Sequence, residues 1–238
     1  MLLYRSGSGD CTDVCLYDLL RYTNLAGQYK QEIQRRVYTP LLGTLSGKTV
    51  LDVACGTGRG AVDFAGKATR VVALDGSTDM LAVTRKKLIG RNDVMLIAGL
   101  AQALPFSRGA FDVVVALNFL HLFRPSTQCA FVDEMIRVLR PGGVLILEFD
   151  NALHGFGVGM ARRWLGGERG SLMCEIRRVV SHGAQIVSVK GALIPYMWRV
   201  FCHFPRFATP LERLASLPFL SRLLCRRLYV QARKLYEL

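Results

Sequence analysis

The chain has 238 residues, of which 51% are hydrophobic, and a formal net charge of +13 at pH 7. This length and composition suit one sizeable globular domain, and the absence of any run of 18 apolar residues argues against a membrane-spanning helix. The first ten residues lack the apolar core of a signal peptide, so we expect an intracellular, cytoplasmic protein.

The distribution of charge and of cysteines limits which binding partners and metal sites are expected. Residues 1–150 carry a net charge of +3 and residues 151–238 carry +10. This asymmetry indicates either an anionic partner, such as a membrane surface or a phosphorylated or nucleic-acid substrate, or only a solvated arginine-rich face. The seven cysteines include no CxxC pair, so we expect buried free thiols and no metal site.

The N-terminal part predicts helices. Apolar residues recur near helical spacing from Cys15 to Leu42, which indicates two helices ahead of the first strand. Tyr22 and Tyr29 lie on them and either contact a ligand or pack in the core, which is the more common fate of an aromatic residue on an amphipathic helix.

Residues 50–60 predict a strand, a glycine turn and the start of a helix. Asp52 interrupts the apolar strand, and Gly56 and Gly58 allow a turn that points backbone N–H groups at a ligand. The next apolar run ends at Asp75, 17 positions after Gly58, where a carboxylate can accept hydrogen bonds from both hydroxyls of a ribose. The pattern therefore favours a nucleotide-like cofactor.

Three further segments follow in order, with the sequences ALPF at 103–106, FDVVV at 111–115 and RVLRPGG at 137–143. With the two acidic strand ends and the glycine turn, they make the chain resemble the class I S-adenosylmethionine-dependent methyltransferases from about residue 48 to 151. The resemblance implies an α/β fold with a Rossmann-like, seven-stranded, mostly parallel sheet of order 3-2-1-4-5-7-6 and helices on both faces. It also implies a single methyltransferase domain over 1–238, with cap helices in 1–47, a cofactor-binding core in 48–151, and a C-terminal half in 152–238 whose residues 192–227 form a lid or insertion.

The resemblance assigns a set of residues to S-adenosylmethionine. They are Asp52, Ala54, Gly56, Gly58, Asp75, Gly76, Met80, Leu100, Ala101 and Asn118. Many relatives carry an aspartate where Leu100 stands, which accepts a hydrogen bond from the adenine amino group. Here Leu100 can only pack on the adenine face, while the backbone N–H of Ala101 can serve a ring nitrogen. Met80 either packs on adenine or is an ordinary core methionine.

His121 follows the predicted fourth strand at its carboxyl end, where open parallel sheets bind their ligands. Its ordinary pKa suits general-base catalysis near neutrality, which makes it the candidate catalytic residue. The alternative is a structural histidine, because the sequence identifies no carboxylate partner.

The remaining pattern completes the sheet. It predicts a helix over 131–139 ended by a turn at 141–143, strand five at 144–147, a helix over 175–180, an exposed edge strand six at 185–189 and strand seven at 228–232. The insertion 192–227 is rich in aromatic residues and arginine. It predicts an acceptor lid or a peripheral membrane contact in which Arg222, Arg226 and Arg227 meet anionic headgroups, unless its aromatics only pack on the sheet.

We therefore expect methyl transfer from S-adenosylmethionine to a hydrophobic small-molecule or lipid-like acceptor, with O-, N- and C-methylation all open. A nicotinamide-dependent oxidoreductase is an alternative, because Gly56, Gly58 and Ala61 also satisfy the dinucleotide fingerprint. A non-catalytic cofactor-binding module is a second, because of Leu100. A nucleic-acid methyltransferase is a third, supported by charge but by no RNA-binding motif, so no DNA or RNA partner is expected.

Overall fold

The computed structural model describes residues 11–154, 170–194, 210, 213, 214 and 217–236. Their helices are α1 Cys11–Tyr22, α2 Leu25–Leu42, α3 Arg59–Phe64, α4 Thr78–Lys87, α5 Pro125–Val138, α6 Met173–Val180 and α7 Pro218–Leu224, with a short 3₁₀ helix at Leu120–Leu122. Their strands are β1 Thr49–Val53, β2 Arg70–Asp75, β3 Val94–Ala98, β4 Phe111–Ala116, β5 Leu139–Asp150, β6 Ala184–Ala192 and β7 Arg227–Lys234. The two helices predicted ahead of the first strand are confirmed.

The strands form one seven-stranded sheet in the order β3-β2-β1-β4-β5-β7-β6. Strands β1 to β5 pair in parallel, whereas β7 is antiparallel to both β5 and β6. The predicted order and the single antiparallel strand are confirmed. This arrangement differs from the 3-2-1-4-5-6 order of dinucleotide-binding domains, and the difference weighs against the oxidoreductase alternative.

Each face of the sheet packs against helices. Side chains alternate along every strand, so each strand contributes residues to both of the resulting cores. On β5, Leu145, Leu147 and Phe149 join the core under α5 and α6, while Ile146 joins the core under α2 and α3. Glu148 follows this alternation and therefore lies on the α2 side of the sheet. The apolar interior thus continues into a polar patch at the carboxyl end of β5.

The sequence predicted that a turn at residues 141–143 separates α5 from β5, and the structure shows no such separation there. Helix α5 ends at Val138, β5 begins at once, and the prolyl-glycyl segment lies inside the strand. The ladder to β4 skips from the pair Phe111 and Leu139 to the pair Val113 and Val144. Gly142 has φ 71°, which lets the extra residues bulge out of the ladder without ending it.

Strands six and seven are confirmed at the predicted places, although both are longer than the alternation indicated. Most of the predicted insertion, including its aromatic residues at 195–207, lies outside the described residues. Within the part that the structure describes, no helix has both the length and the apolar character that crossing a membrane requires.

Candidate active site

The glycine turn joins β1 to α3 through a run of left-handed backbone. Ala54, Gly56 and Gly58 have φ values of 55°, 57° and 77°. Glycine adopts this region freely, whereas an alanine there is strained, and such strain is concentrated at functional sites. The turn thereby directs the N-terminus of α3, which begins at Arg59, towards the carboxyl edge of the sheet.

Helix α4 holds this turn in place through Thr84. The buried hydroxyl of Thr84 donates to the carbonyl oxygens of Gly56 at 2.9 Å and Met80 at 3.1 Å. A Cβ atom at Gly58 would lie 2.4 Å from Thr84 Cγ2, so no larger residue fits there without movement. Ser77 caps the N-terminus of this helix, since its Oγ accepts from the Met80 N–H at 3.3 Å.

Asp75 lies at the end of β2 and faces the glycine turn. Its Oδ2 accepts a hydrogen bond from Gly56 N at 2.8 Å, and its Oδ1 accepts one from Ser77 N at 2.8 Å. Burial raises the pKa of this carboxyl group, and the backbone N–H donors oppose that rise. Each carboxylate oxygen can accept more than one hydrogen bond, so both remain able to bind a hydroxyl of a ligand.

Asp52 is the buried carboxyl group of the site. Its Oδ2 has no hydrogen-bond partner within the described part of the chain, and it faces the position that a Cβ at Gly60 would take, 2.6 Å away. Burial raises the pKa of Asp52 to about 7, while the N–H of Ala61 acts to lower it and the nearby Asp75 to raise it. With Asn118 it lines a cavity between α2 and the carboxyl ends of β1 and β4.

An apolar platform lies on the other side of Asp75. Leu100 is 52% exposed, and its Cδ2 atom lies 3.4 Å from the position of a Cβ at Gly76. Ala101 beside it is buried and Met80 is half-buried. Leu100 therefore packs beside Gly76 directly after the end of β2, next to Asp75.

Comparison with known proteins identifies this arrangement. A family profile described as "Methyltransferase domain" matches residues 50–143. Residues 50–143 therefore match a methyltransferase domain. A demethylmenaquinone methyltransferase of Beutenbergia cavernae is 39% identical over 130 residues, which cover 51% of this chain and 52% of that protein. The ubiquinone/menaquinone biosynthesis C-methyltransferase UbiE of Pseudomonas putida is 35% identical over 141 residues, covering 56% and 53%.

Among solved structures, the cyclase SpnF superposes with a TM-score of 0.69 at 19% identity and covers 95% of this chain and 94% of its own. That likeness shows the fold and not the reaction. The matched region spans about half the length of the curated relatives, and it includes the glycine turn, Asp75 and the Leu100 platform.

The groove of the methyltransferase domain fits S-adenosylmethionine on three observations. The carboxylate of Asp75 has free acceptor capacity for ribose hydroxyls, the exposed Leu100 side chain offers a surface for adenine, and the unpartnered Oδ2 of Asp52 can accept from an ammonium group. The structure brings all ten residues of the predicted cofactor set to the carboxyl ends of β1 to β4 or the segments that follow them. Their roles as ligands remain predictions.

His121 lies in the 3₁₀ helix after β4, at the carboxyl edge of the sheet. Its Nδ1 atom is buried without a hydrogen-bond partner among the residues described here. Burial lowers the pKa of His121 to about 4, and the positive charge of Arg227 contributes to that shift. The expectation of a pKa near neutrality is therefore wrong. His121 is uncharged at neutral pH and is a weak base, so a hydrogen-bonding role suits it better than proton abstraction.

A buried ion cluster lies next to His121, and it was not among the predictions made from the sequence. Arg227 Nη1 lies 2.6 Å from Asp150 Oδ1 and 3.2 Å from Glu148 Oε1, and Glu148 Oε2 accepts from Asn118 N at 3.2 Å. Asn118 has φ 54°, the left-handed backbone that asparagine tolerates best after glycine. The alternation of β5 and β7 was the available clue, because it places charged residues at positions that should be apolar.

This cluster corrects one prediction. Arg227 is only 6% exposed and is ion-paired within the protein, so the predicted contact between Arg227 and anionic headgroups is wrong. A charge so deeply buried is costly unless it is paired, and Glu148 and Asp150 supply that pairing. Arg226 is exposed.

Helix α1 covers the glycine turn. Asp18 Oδ1 accepts from the Thr57 hydroxyl at 2.7 Å, and Lys87 Nζ pairs with Asp18 and donates to Thr57 O at 2.8 Å. The guanidinium of Arg59 lies 3.7 Å from the ring centroid of Tyr22, a cation–π contact. Tyr22 and Tyr29 are both buried, which agrees with the core alternative for these two residues.

Proposed function

We propose that this chain transfers a methyl group from S-adenosylmethionine to a hydrophobic acceptor of the quinol type. The observation that carries the cofactor part is the Asp75 carboxylate, which is fixed by the N–H groups of Gly56 and Ser77 at the end of the groove. The names of the relatives support the acceptor part, since both act in quinone methylation. The identity extends over half of each chain only, so acceptor and activity form part of the proposal.

When bound, S-adenosylmethionine supplies a methyl group already activated by an adjacent positive sulfur. Transfer of that methyl group would leave a neutral thioether, and the acceptor would lose a proton to water. The protein's task is alignment in a dry pocket. Asp75 and Leu100 position one partner, and the carboxyl edge near Asn118 and His121 receives the other.

The test combines binding with turnover. Calorimetry should detect S-adenosylmethionine binding to the purified chain, and incubation with a methyl-labelled cofactor and a reduced 1,4-naphthoquinone lacking the ring methyl should yield labelled product by mass spectrometry. Binding without any labelled product, across naphthoquinols and benzoquinols, would refute the quinol assignment. The exposed Leu100 specifically favours one second candidate, a non-catalytic binding module, and binding without turnover on cell extracts would establish it.

We further propose that residues 192–227 contact an anionic membrane surface at its periphery. The described part of this segment exposes Leu214, Leu217 and Phe219 together with Arg213 and Arg226. Apolar side chains flanked by arginine suit shallow insertion among anionic headgroups, where each arginine adds about 1 kcal/mol. Such a location would bring the enzyme to a lipid-soluble acceptor.

Cosedimentation with liposomes containing phosphatidylserine tests this contact. We expect salt-sensitive binding that weakens when Arg213 and Arg226 become Gln and when Phe219 becomes Ser, with little preference for RNA. Changing Arg108, which lies at the opposite, amino-terminal edge of the sheet before β4, is the control. Equal sedimentation of all variants, or a failure to bind at low salt, would refute the membrane contact.

A further inference from the structure

The carboxyl edge of the sheet carries an excess of positive charge next to the cofactor groove. Arg227 bridges Glu148 and Asp150, and its Nε atom has no hydrogen-bond partner in the described part of the chain. Glu148 Oε1 likewise lacks a hydrogen bond, although both side chains are more than nine-tenths buried. Buried polar groups are normally satisfied, so these atoms indicate a place where a polar ligand completes the network.

Lys30 faces this cluster from α2. It shares a helix face with Gln34 and Tyr38, which lie four and eight residues further on and line the cavity that also contains Glu148. Tyr38 packs against Tyr229, two residues after Arg227 on β7. Lys30 lies two helical turns, about 11 Å, before Tyr38, and the charges of Glu148, Arg226 and Arg227 at the carboxyl edge act on it.

Lys30 has no ionic or hydrogen-bonded partner among the described residues, although it is half-buried. The charged groups that act on it are Arg59 at the start of α3, Glu148 on β5, and Arg226 and Arg227 at the start of β7, and Lys30 in turn acts on His121. Burial is the main reason why the pKa of Lys30 is lowered to about 8, and repulsion from Arg227 and Arg226 lowers it further. The negative charge of Glu148 opposes this shift.

The local charge balance favours an anion. Lys30, Arg226 and Arg227 supply three positive charges against two from Glu148 and Asp150, Arg59 faces the carboxyl group of Asp52, and His121 contributes no charge when neutral. A bound negative group strongly stabilises a cation that is partly desolvated and unpaired. A neutral ligand would leave this excess uncompensated.

We propose that the Lys30 ammonium holds the ionised hydroxyl group of the methyl acceptor, and that the acceptor is therefore an aromatic or enolic compound with an acidic hydroxyl. This inference rests on the proposed function and deepens it. The hydroxyl releases its proton to water, Lys30 stays protonated, and the negative charge that remains on the ring makes its oxygen or the neighbouring carbon the nucleophile. Lys30 is then a residue that touches the acceptor and not the cofactor.

A coloured phenol provides a direct test without turnover. The probe is 4-nitro-1-naphthol, whose anion absorbs visible light, added to the full chain with saturating S-adenosylhomocysteine. We expect the pKa of the bound probe to fall by about one unit, a roughly tenfold preference for the anion. The affinity for the anion should fall as the pH rises above 8 and Lys30 loses its proton.

Three variants locate the effect. Lys30→Met should abolish the tenfold preference, Lys30→Arg should keep it and extend it to higher pH, and Lys48→Met should leave it unchanged. Lys48 is the matched control, because it is also partly buried but precedes β1 at the opposite edge of the sheet. Removing a charge that burial already disfavours should not unfold the protein, which a thermal melt of Lys30→Met checks.

The inference is overturned if the wild-type chain does not bind the probe, if it shows no preference for the anion, or if Lys30→Met retains that preference. Its failure is separable from failure of the proposed function. Labelled methyl product from a quinol without a shift in the probe's pKa removes the role of Lys30 alone. A Lys30-dependent shift without methyl transfer to any acceptor removes the proposed reaction and leaves an anionic-hydroxyl site.

Discussion

Replacing Asp75 tests the cofactor groove at the residue on which it most depends. The carboxylate is held by two backbone N–H groups at 2.8 Å, which leaves its remaining lone pairs for the two ribose hydroxyls. A hydrogen bond to a charged group contributes about 1.5–3 kcal/mol. Since water replaces part of what is lost, we expect Asp75→Ala to weaken S-adenosylmethionine binding by roughly 3 kcal/mol, about a hundredfold in Kd.

The matched control lies at the other end of the sheet. Asp112, near the amino end of β4, also binds backbone, accepting from Thr49 N at 2.6 Å and from Thr49 Oγ1 at 2.8 Å. Asp112→Ala should lower the melting temperature while leaving the calorimetric Kd unchanged. This comparison separates loss of a ligand contact from general loss of structure.

One result would refute the reasoning. If Asp75→Ala is folded by circular dichroism and binds the cofactor with wild-type affinity, Asp75 does not hold the ribose and the groove has been assigned wrongly. Equal weakening in the Asp75 and Asp112 variants would show that the effect is conformational.

Three further outcomes follow from the same geometry. Gly58→Ala should cost several kcal/mol of unfolding free energy and abolish cofactor binding, because its Cβ would meet Thr84. Gly90→Ala, with φ 78° and open space around it, should cost only about 1–2 kcal/mol in urea unfolding. Equal costs for the two variants would contradict the steric argument. The pKa of Asp52 is about 7 in the folded chain against its ordinary value of 3.8, so the folded state binds more protons between those values. Unfolding free energy should therefore fall as pH rises from 4 to 7, and Asp52→Asn should flatten that slope, whereas an unchanged slope would place the titration elsewhere. Leu100→Asp should tighten cofactor binding about tenfold if the missing adenine acceptor matters; weaker calorimetric binding in a folded variant would show that Leu100 is a packing surface.

Local sequence pattern was enough to predict the sheet order and to place the predicted cofactor residues. Strand, glycine turn and acidic residue are adjacent in the chain between Val50 and Asp75, so local pattern was enough to place them. Turn chemistry such as the left-handed backbone at Gly58 and the cap at Ser77 is also local, and both appear where the residue types predict them. The bulge in β5 is an exception, because a glycine alone does not show whether the ladder ends or continues.

The residues of the proposed acceptor side could not be found from the sequence. Lys30 and Glu148 are 118 positions apart along the chain and Glu148 and Arg227 are 79 apart, and they come near one another because α2 crosses the face of β5 and β7. Burial then fixed their chemistry. It turned Arg227 from a predicted surface charge into an interior ion pair, and it shifted the pKa of His121 far below neutrality. Desolvation depends on what packs around a group in three dimensions, and the order of residues along the chain does not carry that information.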